Sequence, residues 1–272
     1  MRGNGLSRLW ERPPGPTYHA FEAPPVSQHQ SAFVTLMSSR PLDAFLRLLR
    51  RNVGPNVFNP WTQRDTADRQ TNGPAARLAR LTAHLSTKAK RILIGEAPGY
   101  QGCRVTGIPF TSERLIIASH IPRIAPASAR LSTRSRPWSE PSATIVWETL
   151  HSLGIAGDTI LWNAFPWHPF KPGTPHSNRT PTSAEREQGL PVLEALLMIF
   201  PRATLLAVGR NAERSLRDIA RHAIPLRHPS MGGATAFRDG LRRALGFGPA
   251  TVGGGIDYFS PAGQQTPALL WQ

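Results

Sequence analysis

The sequence predicts an α/β fold, three αβα layers around a central, mainly parallel four-stranded sheet. Three observations lead there. Short apolar runs at 92–94, 159–162, 203–208 and 223–226 alternate with segments of helical period, giving the order β, α, β, α, β, α, β. That alternation calls for parallel strands joined by right-handed crossovers, with helices on both faces. Each run also stops abruptly at a loop residue, and in open α/β sheets ligands bind outside the carboxyl ends of the strands.

Taken in order, residues 1–40 carry Pro13, Pro14, Pro16, Pro24 and Pro25 with no sustained period, and they read as a flexible arm. Leu42, Phe45, Leu46 and Leu49 recur at helical spacing, as do Leu78, Leu81 and Leu85, so two helices precede the first strand. Between them, the polar stretch 59–74 reads as a surface loop. The first strand ends in a glycine-rich turn, GEAPGYQG, whose Gly95, Pro98, Gly99 and Gly102 force the backbone out of regular structure around Glu96. Thr111 or Ser112 is placed to cap a helix over 113–119. Residues 121–142 read as a basic loop and 143–153 as a helix with Val146, Trp147 and Leu150 on its apolar face.

The second strand ends in Asn163. A proline-broken loop follows, holding Phe165, Trp167 and Phe170, for which core packing is the favoured role, and His168 and His176, read as surface residues. A helix over 183–200 presents Leu190, Leu193, Leu197 and Phe200, the third strand ends at Gly209, NAERSLRDIA forms the next helix, and the fourth strand runs into RHPSMGG. The domain spans 41–247, and the stretch 248–272, with its Gly, Gln and Pro, reads as a flexible tail.

The chain of 272 residues has a formal charge of +15, and of its 32 basic residues only Lys88, Lys90 and Lys171 are lysines. An arginine-dominated excess suits a polyanionic partner, because the planar guanidinium donates two hydrogen bonds to one phosphate. Cys103 is the single cysteine, which excludes an intrachain disulfide and a cysteine-built metal site and fits a reducing compartment, the cytoplasm. No apolar run approaches the ~20 residues of a membrane span. There is no GxxxxGK[ST] phosphate loop, and no cofactor or metal is expected.

Glu96, Asn163 and His228 each directly follow a run read as a strand, so parallel strands would bring all three to one rim of the sheet. A carboxylate can orient water or offset positive charge, an amide can read a donor and acceptor pair, and an imidazole can stabilise an anion. Each also has a plainer reading: Glu96 capping its own turn, Asn163 forming a turn, His228 as a structural histidine, Phe110 as core.

The motifs resemble those of the uracil-DNA glycosylase superfamily. GEAPG at 95–99 with GIPF at 107–110 is similar to its first motif, ILWN to the strand ending in Asn, NRTPT at 178–182 to the NRxP element of the branch that uses Glu, and HPS at 228–230 to the last motif. That branch holds an iron–sulfur cluster on four cysteines. With Cys103 alone, this chain resembles a cluster-free relative. The resemblance implies a monomeric DNA N-glycosylase of base excision repair, acting on single- or double-stranded DNA that carries uracil or another deaminated base. It implies Glu96 and His228 as catalytic, Ala97, Phe110 and Asn163 as base-binding, and Ser230, Met231 and Gly232 as DNA-binding. The alternative is a catalytically silent nucleic-acid-binding protein of the same fold.

Overall fold

The computed structural model describes residues 40–127 and 129–248. The arm and the tail expected at the two ends lie almost entirely outside the described residues. The elements run α1 (Arg40–Leu49), β1 (Val57–Phe58), α2 (Pro74–Leu85), β2 (Arg91–Gly95), α3 (Cys103–Thr106), α4 (Glu113–Ile117), α5 (Pro141–Ser152), β3 (Thr159–Asn163), β4 (His168–Pro169), α6 (Ser183–Ile199), β5 (Thr204–Val208), α7 (Arg210–Asp218), β6 (Ile224–Leu226) and α8 (Ala234–Ala244).

The central sheet has the order β3-β2-β5-β6, and every pairing in it is parallel. The runs of β2, β3 and β5 are apolar because a parallel sheet is covered on both faces. Ile92, Ile94, Ile160 and Trp162 face one layer with Phe45, Leu81, Leu193 and Leu216, while Leu93, Leu161 and Leu206 face the other with Leu115, Trp147 and Phe237. The period of two in the strands thus divides α1, α2, α6 and α7 from α4, α5 and α8. Chain order reverses at β2: β3 pairs on one side of it and β5 on the other. That reversal opens a crevice at the carboxyl ends of the strands.

Three expectations need correction. The stretch 59–74 is a surface loop only in part: residues 62–64 and 69–71 are exposed, but Asn59, Trp61, Asp65 and Asn72 are buried. Just before it, β1 pairs antiparallel with β4, a two-residue contact too short for any periodic signal. His168 is fully buried rather than superficial. Arg104 Nη1 donates to its Nδ1 at 2.9 Å and its Nε2 donates to the Ser177 carbonyl at 2.9 Å. Burial, with the Arg104 charge beside it, pushes its pKa down to about 3, so it is a neutral strut. Finally, α8 had no counterpart in the sequence reading, because only Phe237 and Leu241 of its arginine-rich run are buried.

The segment read as a basic loop is folded onto one acid. Glu113, fully buried at the start of α4, accepts from Arg130 Nε at 2.8 Å, from the backbone of Leu131, Ser132 and Trp138, and from Ser132 Oγ at 2.7 Å. Burial opposes its charge. The bonds from Arg130, Ser132 and the Trp138 and Ser132 amides outweigh that and hold its pKa below the ordinary carboxylate value. No helix among the described residues is long and apolar enough to cross a membrane.

Candidate active site

A cavity of about 730 Å³ opens at the carboxyl rim of the sheet. Residues next to the ends of all four strands line it, Glu96 after β2, Asn163 closing β3, Gly209 after β5 and His228 after β6. Ala97, Phe110 and Ser230 line it too, so six of the eight residues singled out from sequence meet at one place. Met231 and Gly232 are not part of the lining. Both lie on the turn beyond His228, where Met231 is 91 % exposed with φ of 52°.

Register brings the first pair together. Gly95 pairs with Asn163 across β2 and β3, and the Gly95 and Glu96 carbonyls accept from the Ala164 and Phe165 amides, each at 2.9 Å. The chain leaving β3 is therefore zipped to the chain leaving β2. Gly95 is a steric necessity: a Cβ there would stand 2.5 Å from Phe110 Cζ and 2.8 Å from Asn163 Oδ1. Its missing side chain is the space in which the ring and the amide converge.

Phe110 itself has φ of 50°, an uncommon value for a bulky residue and one that persists only when the surroundings fix it. The surroundings do. Gly107 turns the chain at φ of 79°, with no room for a Cβ against the Arg77 carbonyl, and Thr106 Oγ1 donates to the Thr111 carbonyl at 2.8 Å. Phe110 lies beside His228, their ring centroids 6.2 Å apart and their planes tilted by 38°.

The imidazole has a defined tautomer. The Ser230 backbone N–H donates to His228 Nδ1 at 3.1 Å, and Ser230 Oγ lies 2.7 Å from the same atom. An N–H can only donate, so Nδ1 is the acceptor and the neutral ring carries its proton on Nε2. Burial, then the neighbouring Arg227 charge, lowers its pKa and keeps it neutral near pH 7.

Sequence reasoning missed several lining residues, among them Asn211, Glu140, Arg210 and Arg227. Asn211 Nδ2 donates to Glu96 Oε1 at 2.9 Å from the first turn of α7. Its signal was present, since it follows the β5 strand end as Glu96 and His228 follow theirs. Glu140, just before α5, also lines the cavity. It lies in a stretch without periodicity, where nothing local distinguishes it.

NRTPT acts as a clasp on this rim. Arg179 forks onto both Glu185 oxygens at 2.6 Å, Thr182 and Glu185 cap α6 reciprocally, and Asn178 Oδ1 accepts from the Tyr100 amide at 3.0 Å. An iron–sulfur cluster does not fit these residues. The single cysteine, Cys103, is buried, and among the described residues no group of three or more His, Cys, Asp or Glu is placed to hold a metal ion.

Fold and site together define a class, an α/β protein whose pocket sits at the sheet's switch point and is furnished with a carboxylate, an amide and a neutral imidazole. The family model of the uracil DNA glycosylase superfamily matches residues 83–243, more than half of the chain, and the chain belongs to that superfamily. Among solved structures it is similar to SMUG2 from Pedobacter heparinus, with a TM-score of 0.51 and 16 % identity over 75 % of this chain and 96 % of that one. At that identity the likeness shows the fold. No curated protein matches.

Proposed function

We propose that the chain is a monofunctional DNA N-glycosylase that removes uracil or a related deaminated base and leaves an abasic site. The observation that carries this reading is the convergence of Glu96, Phe110, Asn163 and His228 on one cavity at the strand ends. The enzyme extrudes the damaged nucleotide from the stack, at a cost of a few kcal/mol that is smallest for mispaired or unpaired bases. The base then lies against Phe110, and the Asn163 amide bonds its Watson–Crick edge, matching an N–H and carbonyl pair and rejecting the amino group of cytosine.

Cleavage breaks the bond between the sugar C1′ and the base nitrogen, and the electron pair leaves with the base. The Nε2–H of His228 donates to a base carbonyl and stabilises that negative charge, with no proton transfer required. Glu96, steadied by Asn211, offsets the positive charge on the sugar and orients the water whose oxygen bonds to C1′. A lyase step is not part of the reading. Lys88 and Lys90 precede β2 at the opposite rim of the sheet, and Lys171 is exposed outside the lining.

Arg210 and Arg227 border the cavity and are exposed, placed for phosphates. Met231, projecting from the turn after His228, is placed to enter the gap left in the base stack, with Ser230 and Gly232 against the backbone. Release of uracil from single- and double-stranded oligonucleotides tests the proposal. Glu96→Gln should lower single-turnover release by about 10²-fold or more while DNA affinity stays the same, since the carboxylate acts in the transition state. Binding by the wild-type chain without any base release, at high enzyme and long times, would favour the silent binding protein.

A further inference from the structure

Beside the cavity stands a group of rings that the proposed chemistry leaves unused. Tyr100 sits in the glycine turn after β2, between the lining residues Gly99 and Gln101. Trp138 comes just before Glu140, and His176 just before Asn178, both of which also line the cavity. None of the three rings is part of the lining itself. Trp138 is the pillar of the group. The Tyr100 ring stands at 89° to it with centroids 5.4 Å apart, and the His176 ring at 63° and 5.6 Å. The two outer rings are inclined to each other by only 30°, their centroids 6.4 Å apart.

Contacts from three loops hold this geometry. His176 Nε2 lies 3.1 and 3.2 Å from the two oxygens of buried Asp65, which also pairs with Arg104, so the imidazole is fixed in its plane. The Tyr100 amide donates to Asn178 Oδ1 at 3.0 Å, tying the turn to the loop that carries His176. The Arg134 guanidinium lies over the Trp138 ring, 3.6 Å from its centroid.

Trp138 is buried, whereas Tyr100 and His176 keep part of their surface open, and Arg134 and Arg136 on the Trp138 loop are exposed. The acids nearby do not cancel these cations. Asp65 is engaged by Arg104, Glu113 by Arg130, and Glu140 is turned against Gly102. The face is therefore aromatic and positively charged at once. That combination suits a nucleic-acid strand whose bases are unpaired, because a ring stacks on a base of any identity while guanidinium groups meet the phosphates. A base within a duplex is already stacked and paired, and it reaches a side-chain ring only by leaving the helix.

We infer that Tyr100 and His176, propped by Trp138, form a stacking site outside the cavity for the unpaired nucleobase next to the everted one, with Arg134 and Arg136 on its phosphates. The inference rests on the glycosylase reading for the everted nucleotide. It adds a form of substrate to that reading, DNA that is single-stranded beside the lesion.

The test uses single-stranded oligonucleotides that carry a cleavage-resistant 2′-fluoro-deoxyuridine, with the fluorescent base 2-aminopurine on its 5′ or its 3′ side. Eversion of the uracil alone removes a stacking neighbour and brightens the probe, whereas stacking on Tyr100 dims it. On one of the two sides the wild-type chain should dim the probe on binding. Replacing that nucleotide by an abasic analogue should weaken binding by about tenfold, the contribution of one stacked base. Tyr100→Phe keeps the ring and should keep both effects, which also shows that the turn survives substitution. Tyr100→Leu should lose most of the dimming and should narrow the preference for the single strand over the paired duplex. Absence of dimming on either side, or both effects undiminished in Tyr100→Leu, overturns the inference. Uracil release from an ordinary deoxyuridine strand without dimming would leave the glycosylase reading standing and remove this one. Dimming without release of any base would do the reverse.

Discussion

Placing a methyl group on Gly95 is the sharpest perturbation of this site, because the molecule specifies what it meets. An alanine Cβ would lie 2.5 and 2.8 Å from two carbons of the Phe110 ring and 2.8 Å from Asn163 Oδ1. Carbon atoms in contact sit about 3.5–4.0 Å apart, so the ring must retreat by about 1 Å. It has nowhere easy to go, since Phe110 is buried beside Leu93, Ile108 and Trp147 and its backbone is already fixed at positive φ. Overpacking of this kind costs about 1–3 kcal/mol of stability. A displacement near 1 Å at a stacking platform costs about 10²-fold in rate. Urea denaturation and single-turnover base release, measured on Gly95→Ala at saturating enzyme, give the two numbers separately. A variant as stable as wild type would show that the ring does not stand where the structure puts it. A destabilised variant that releases base at the full rate would remove Phe110 from base binding.

Other expectations follow from single contacts. Asn163→Asp replaces an amide donor with a carboxylate that only accepts, so cytosine release from an oligonucleotide should appear as uracil release falls; unchanged uracil preference would contradict the assigned contact. Glu113→Ala leaves Arg130 and three backbone amides around Glu113 without their acceptor and should cost about 3–5 kcal/mol in thermal or urea melts. The folded-state pKa of Glu113 lies below its ordinary 4.5, so its stabilisation is fully present above that value and is lost as the pH falls through the lower one. An acid melt in which wild type and variant converge at low pH would agree, and a constant difference down to pH 2 would not. DNA affinity should fall linearly with salt on logarithmic axes, and Arg227→Ala should reduce the duplex slope by about 0.9, one neutralised phosphate. An unchanged slope would place Arg227 away from the backbone.

The strand ends were legible because they obey local rules. An apolar run that stops at Gly95, Asn163 or Gly209 marks the rim of a parallel sheet whatever the rest of the chain does, and parallel pairing turns three distant stops into one place. The glycine turn around Glu96 was legible for the same reason, since backbone freedom is written in residue type. The stretch 59–74 was misread in part because some of its polar residues are buried against partners outside it: Asp65 pairs with Arg104 and His176, and Asp68 with Arg77. Composition marks such residues as surface until those partners are known.

What the sequence determined by itself was the layer order, the direction of the strands and the rim on which Glu96, Asn163 and His228 stand, all consequences of periodicity and of where each run ends. Only the tertiary structure decided which face of each loop turns inward. It put the Phe110 ring and the Asn163 amide into the space left by Gly95, set Asn211 against Glu96, and laid Glu140 on Gly99 and Gly102. Those are contacts between segments with no shared period, and their geometry is fixed by packing across the chain rather than by anything a neighbouring residue can signal.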